Sequence, residues 1–435
     1  MEQLAVWAER LEGFVHVGAL WSERNAEEWF EYDGSYLQRN DAAPIYPPLP
    51  LRDGRFNPSA TRAAFFSLGP EGRVGYKIRT TLRAGRDSVL PVLARLNHET
   101  VGALCFCAPD EAPAYGEPVF REVDEGFLKE FAAEPESLAY RTMLDSRLSL
   151  NGAVSKIGLV RRDDSWLMPM GLEPTTHILK AGSPSFPNQM LNEAICMRCA
   201  RACGFDDAAE TSLIVADNNK VLLVSKRFDR AETRERPAGL PSIMRLHQAD
   251  FCQLMGISVD GLKYTPSDEL VDGYNTSFAA TISRESSERY GDRSYIFDAQ
   301  VFNYLVGNCD NHLKNYSMTW QPDWRGKSVS PIYDVTCTTL YTDLSRDMGM
   351  GIGQHRRIDQ IDIDDFRLLA HQLGLGKAQA RQSLGELSES FKGALLLAAR
   401  ELESEYGVAT RELARRMLDD SAERLKVVSC AANQL

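Results

Sequence analysis

Long apolar runs, a surplus of basic residues and low-complexity tracts are all missing from this chain of 435 residues. Each absence excludes a class of protein. No window approaches the ~18 uninterrupted apolar residues of a membrane-spanning helix, and the opening Met1-Glu2-Gln3-Leu4 carries an acid where a secretory leader carries bases. A soluble, unexported, cytoplasmic protein without a membrane partner is the expectation. The formal net charge of −12 leaves no concentrated basic face for a phosphate backbone. DNA would be reached only indirectly, through a partner. Nine cysteines, an odd number scattered along the chain, fit reduced thiols better than a disulfide framework. No repeat of fixed period and no biased segment is present, so solenoids and long linkers drop out.

With 43% hydrophobic residues the chain can bury a large core and is expected to divide into two or more domains. Short strand-like runs separated by Gly, Pro and Asp fill residues 4 to about 110. Among them are a proline-dense extended connection from Ala42 to Arg52 and a buried strand over Val101 to Phe106. Ala108 to Glu117, rich in Pro, Asp and Glu, is the first boundary. From about residue 184 helices dominate, and Leu384, Leu387, Phe391, Leu395, Ala398 and Leu402 recur at three- and four-residue intervals, a helix burying one face. Cys196, Cys199 and Cys203 fall on a helical pattern with no nearby histidine pair and read as core thiols. Met348 to Gly353 alternates methionine or isoleucine with glycine, but it lacks the strand, turn, helix and distal acid of a dinucleotide fingerprint.

The chemistry concentrates in Phe302 to Tyr316, where an apolar helical run ends in a polar cluster. Asp310 and Asn315 have the D-x-x-x-x-N spacing with which protein kinases set a base beside the attacking hydroxyl and an amide oxygen on magnesium. Spacing alone is weak, since such pairs also cap helices and form turns. Order along the chain adds weight. A candidate nucleotide lysine, a hinge-like segment, the base and a second acid, Asp334, after an expected strand over Ser328 to Tyr333, follow in the sequence that kinases use.

Six segments in register resemble one family: Ser149 to Lys156, Pro174 to Lys180, Lys226 to Arg230, Arg245 to Asp250, Asp310 to Asn315, and Ile332-Tyr333-Asp334. The chain is thereby identified as a member of the HipA family of serine/threonine-protein kinase toxins of type II toxin-antitoxin systems. Leu49 to Arg52 and Val101 to Ala103 extend the likeness to the amino-terminal region. The resemblance implies an α+β fold, bilobed and protein-kinase-like: a HipA-like subdomain over 1–110, a mixed α/β lobe with phosphate loop and hinge over 118–228, and a helical lobe over 229–435. It implies ATP and Mg2+ as cofactors. It also implies a helix-turn-helix, HipB-like antitoxin as partner and an aminoacyl-tRNA synthetase as protein substrate, with glutamyl-tRNA synthetase the first candidate. Growth arrest would follow.

Residue by residue, the resemblance places Asp310 as catalytic base and Asn315 with Asp334 on Mg2+. Ser149, Asn151, Gly152, Ala153 and Lys156 occupy the phosphate loop, and Ser149 takes the place of a self-phosphorylating switch. Lys180 aims an ammonium at the ATP phosphates, with Glu193 on the next helix as its candidate partner. Lys226, Phe228 and Asp229 line the adenine side, where many relatives carry an acid in place of Lys226. The R-F-D-R run there also fits an exposed strand end with one buried aromatic. His312 counts among the nucleotide-site residues, with a packed, non-catalytic role favoured. A second reading makes the chain mainly a co-repressor, an interaction subunit docked on its antitoxin.

Overall fold

The computed structural model describes residues 2–22, 27–216, 220–233, 237, 239–258, 263–264 and 274–435. Two compact units emerge, neither of them continuous in sequence. Met1–Ser183, Ala216–Val259 and Met318–Lys327 form the first; Pro184–Val215, Asp260–Ser317 and Ser328–Leu435 form the second.

The first unit contains a four-stranded antiparallel sheet in the order Glu28–Tyr32, Gly13–Ser22, Glu2–Arg10, Leu104–Cys107. Alternating burial along Glu28–Tyr32 sends Phe30 and Tyr32 inward, against Phe56 and Phe65. Phe65 comes from the helix Pro58–Phe65, which starts cleanly because the Asn57 side chain accepts from the Ala60 N–H and proline takes the first helical position. Residues 101–103 precede rather than form the strand, which begins at Leu104. A second antiparallel sheet of this unit runs Phe120–Glu122, Ser165–Pro169, Ser155–Arg162, His177–Ala181, Val221–Lys226.

The second unit is mainly helical. Arg289–Val306 is its buried spine, with Ile296, Phe297, Val301, Phe302 and Leu305 in the core. Lys377–Tyr406 buries Leu384, Leu387, Phe391, Leu395, Ala398 and Leu402 on one face, the stripe expected from the spacing. Cys196 and Cys199 are fully buried on Gln189–Ala202, and burial pushes both thiols up. Among the described residues no helix is long and apolar enough to cross a membrane.

The strand expected over Ser328 to Tyr333 is much shorter. Pairing covers Lys327–Val329, then Pro331, which has no N–H to give a ladder, and an irregular stretch follows to Cys337. Asp334 lies in that stretch with φ of +59°, left-handed backbone that aspartate tolerates better than most residues.

Candidate active site

In the second unit, the spine helix ends at Gly307, whose φ of +83° makes the left-handed turn that closes a helix. The next residues fold into a loop held by its own amides. Asn308 donates through Nδ2 to Asn303 Oδ1 at 2.7 Å and accepts the Asp310 N–H at 3.2 Å. His312 N–H donates to the Asp310 carbonyl at 2.8 Å, and the Asn315 side-chain NH2 reaches the same carbonyl at 2.8 Å. That last bond engages the Asn315 NH2, and the oxygen is the acceptor end of the same amide. Asp310 itself is exposed, while Asn311, His312 and Leu313 are buried.

Asp334 is tied to this loop through its neighbour. Tyr333 OH donates to the Lys314 carbonyl at 2.8 Å, one residue before Asn315. Two side chains of the spine helix hold the approach to Asp334: Asp292 accepts the Val329 N–H at 2.9 Å, and Tyr295 OH accepts the Ile332 N–H at 2.7 Å. The Met348 to Gly353 run acquires its physical reason here. Gly349 donates its N–H to the Cys309 carbonyl, and a Cβ on it would sit 2.8 Å from His312 N, so the strand Asp347–Ile352 packs directly on the loop backbone.

Magnesium fits this donor set. It is a hard cation that takes one or two carboxylates plus substrate phosphates and keeps several waters, and the carboxylate of Asp334 and the amide oxygen of Asn315 are donors of that type. No group of three or more His, Cys, Asp or Glu suited to a metal gathers among the described residues.

The first unit holds the other group of site residues. Lys156 lies directly opposite Lys180 in the register between Ser155–Arg162 and His177–Ala181. Both are buried, at 7% and 5% exposure. Like charges facing each other across a ladder are destabilising, and burial compounds the cost. Lys156 Nζ also stands over Gly152, 2.7 Å from where a Cβ would be, and Gly152 adopts φ of +94°. Asn151 and Ala153 flank it, half-buried and exposed respectively. Ser149 is fully buried; its hydroxyl donates to the Leu68 carbonyl at 2.6 Å and its N–H to the Glu99 carbonyl at 2.8 Å. It therefore does not cap a local turn.

The R-F-D-R run inverts the expectation of an exposed strand end. Lys226 is exposed and Phe228 half-buried, but Arg227 and Asp229 are buried. Arg227 donates to both Asp229 oxygens, at 2.9 and 2.6 Å, and Arg230 reaches Asp229 at 3.1 Å. Glu99 receives Arg227, Arg230 and Arg245 at 3.0, 2.9 and 3.2 Å, and Arg245 also bonds Glu9 at 2.9 Å. Burial alone would raise the Glu99 and Asp229 carboxyls, yet the arginines hold both below the usual range. Asp229, expected at the nucleotide, has its carboxylate committed to this cluster.

Sequence reasoning missed Tyr264, whose hydroxyl donates to Asp310 Oδ1 at 2.9 Å while its ring meets His312 edge-on, centroids 5.1 Å apart. No spacing rule connects residues 264 and 310. Glu193 is buried on Gln189–Ala202 and belongs to the second unit, Lys180 to the first.

Comparison with known proteins gives a consistent result. Family models described as HipA-like C-terminal domain and HipA N-terminal domain match residues 148–395 and 4–107. A Sinorhizobium fredii protein named "Putative kinase Y4mE" is 31% identical, over 86% of this chain and 87% of its own. The Shewanella oneidensis serine/threonine-protein kinase toxin HipA is 25% identical, over 77% of this chain and 75% of its own. Among solved structures, a complex of Shewanella oneidensis HipA, HipB and operator DNA contains a chain that matches with a TM-score of 0.78 and 20% identity, covering 99% of this chain and 97% of that one.

Proposed function

The chain belongs to the HipA family and has its α+β, kinase-like fold, and from that premise we propose that it transfers the γ-phosphoryl group of ATP to a serine or threonine hydroxyl of a protein. The loop of residues 308–315 is the observation that carries this reading. Its internal amide bonds engage the Asn315 NH2 with the Asp310 carbonyl, and Asp310 itself is exposed.

In this mechanism Asp310 accepts the proton of the substrate hydroxyl as its oxygen bonds to the γ-phosphorus and the bond to ADP breaks. No covalent enzyme intermediate is required. Lys156 and Lys180 bind and orient phosphate oxygens as two adjacent point charges, with Asn151, Gly152 and Ala153 supplying backbone N–H groups. Lys226 and Phe228 flank the adenine. Asn315 and Asp334 would hold Mg2+, which when bound would neutralise charge on the phosphates.

Ser149 is proposed as an inhibitory self-phosphorylation site. A phosphate brings nearly two negative charges and three acceptor oxygens, and the buried position against the Leu68 carbonyl offers an acceptor where donors are needed. A modified Ser149 has to leave that position and draw the loop with it. The substrate class proposed is an aminoacyl-tRNA synthetase, glutamyl-tRNA synthetase first, and the partner a HipB-like helix-turn-helix antitoxin that carries the DNA contact. A mainly co-repressive role is the alternative; the Shewanella protein was solved with HipB and operator DNA.

Phosphoproteomics of cells expressing the chain beside its Asp310→Ala form tests the proposal. Sites that appear only with the unaltered chain name the substrate. Identical phosphoproteomes, with operator repression retained by both forms, would favour the co-repressor.

A further inference from the structure

Asn192 presents a physical oddity: an asparagine in the first turn of the helix Gln189–Ala202, with no exposed surface. Asparagine is a poor helix former, and a buried amide is costly unless bonded. Its side chain pairs at two points with the backbone of Cys337, Nδ2 donating to the carbonyl at 2.9 Å and Oδ1 accepting the N–H at 2.8 Å. Two-point pairing between an amide and a peptide group fixes residue 337 in position and in rotation. Tyr341 OH, which donates to the Pro187 carbonyl, lies 3.3 Å from the same Nδ2.

The next residue makes the complementary connection. Thr338 Oγ1 donates to the Gly307 carbonyl at 3.1 Å and accepts the Cys309 N–H at 2.7 Å. The Thr338 and Thr339 N–H groups reach the same Gly307 carbonyl at 3.0 and 3.1 Å. Cys309 immediately precedes Asp310, and Cys337 lies three residues beyond Asp334. Adjacent residues thus clamp the metal-acid segment to a helix on one side and to the base loop on the other. Upstream of Asp334, the Tyr333 and Ile332 bonds complete the fixation.

We infer that Asn192 and Thr338 are positioning residues of the phosphoryl-transfer site: Asn192 sets the metal acid Asp334 through Cys337, and Thr338 sets the base Asp310 through Cys309. The inference rests on the kinase reading given above. It predicts a division of labour that mere packing would not produce, because loss of packing would impair both functions together.

The test uses the full chain, with Mn2+ and a non-hydrolysable ATP analogue read by electron paramagnetic resonance, and ADP release from ATP as the second measurement. Groups that orient metal ligands typically contribute about 10–100-fold to metal affinity or activity. Asn192→Leu should weaken Mn2+ binding by roughly tenfold or more and leave the metal-free affinity of the analogue unchanged. Thr338→Val should slow ADP release by roughly tenfold with Mn2+ affinity within about twofold, and Thr338→Ser should restore release. If folded Asn192→Leu and Thr338→Val both match the unaltered chain, or both lose metal binding and turnover in parallel, the inference is overturned. Should Asn192→Leu fail to fold, the Val and Ser variants at 338 decide. An unaltered chain that neither binds Mn2+ with the analogue nor releases ADP would instead overturn the kinase reading on which the inference rests.

Discussion

The polar interiors of the two units are built from different materials. In the first, three carboxylates, Glu9, Glu99 and Asp229, meet three guanidinium groups, Arg227, Arg230 and Arg245, below the surface. In the second, the loop carrying Asp310 is held by the neutral side chains of Asn303, Asn308, Asn311 and Thr338, and the segment after Asp334 by Asn192. Full charges in low dielectric bond strongly, but each depends on every other being present. Neutral networks position a backbone without adding a fixed field. A loop held mainly by neutral groups keeps its backbone in place without every bond depending on a shared set of charges.

Breaking each interior at its centre separates the two roles. Asp310→Ala and Asp334→Ala should each lower phosphoryl transfer by on the order of 10²–10⁴-fold while the chain still folds; Asp310→Ala should leave thermal unfolding unchanged, and Asp334→Ala should lower it, because alanine tolerates the left-handed backbone at residue 334 less well than aspartate. Transfer at the unaltered rate from a folded variant would remove that residue from the site. Glu99→Ala should do the reverse to stability, costing about 3–5 kcal/mol in denaturant unfolding as the arginines lose a shared partner. Its pH dependence has a definite sign. The depressed carboxyls of Glu99 and Asp229 contribute stability above their unfolded values, about 4, and lose it as pH falls through their lower folded values. The difference between Glu99→Ala and the unaltered chain should therefore shrink on acidification below about pH 4. An equal difference at neutral and acid pH would show that Glu99 acts by packing alone.

Asp298, on the spine helix, offers a sharper contrast, since burial outweighs every other influence on its carboxyl. Burial pushes it up to about 6, opposed by a bond with Ser383. Here the folded value lies above the unfolded one, so the folded state holds the proton more tightly, and stability falls as pH rises toward 6. Asp298→Asn should raise stability at pH 7.5 by on the order of 2 kcal/mol, and the gain should vanish below about pH 4. A gain that persists in acid would point to packing instead of charge.

Much of this was legible in the sequence, and what was not has physical causes. The stripe from Leu384 to Leu402 and the strand carrying Lys180 follow from local periodicity, which a single chain displays. The base loop was legible because its residues are contiguous. The buried charge cluster was not, since Glu9, Glu99, Arg227 and Arg245 are scattered along the chain and each alone looks like a surface residue. The strand at Ser328 to Tyr333 was overextended because β-propensity ignored Pro331. Thr338 escaped notice because a hydroxyl that accepts from one backbone group and donates to another has no sequence pattern.

The smallest effect expected is at Tyr264, where the two kinds of scaffold meet in one bond: a neutral hydroxyl donating to the charged Asp310. A hydrogen bond to a charged group contributes about 1.5–3 kcal/mol when well shielded, and less here because Asp310 is exposed. A carboxylate offers about four lone-pair sites, so the bond to Oδ1 leaves room for a substrate hydroxyl while restricting rotation of the group. Tyr264→Phe keeps the ring against His312 and removes only the donor. The freed carboxylate samples more orientations, and the turnover number should fall by about threefold, equivalent to ~0.7 kcal/mol, with the KM for ATP unchanged. Steady-state kinetics on the two proteins decides the sign. A rise in turnover, with tighter binding of the protein substrate, would mean that Tyr264 occupies the place of the incoming hydroxyl and restrains the enzyme, so that the contact is inhibitory and not orienting.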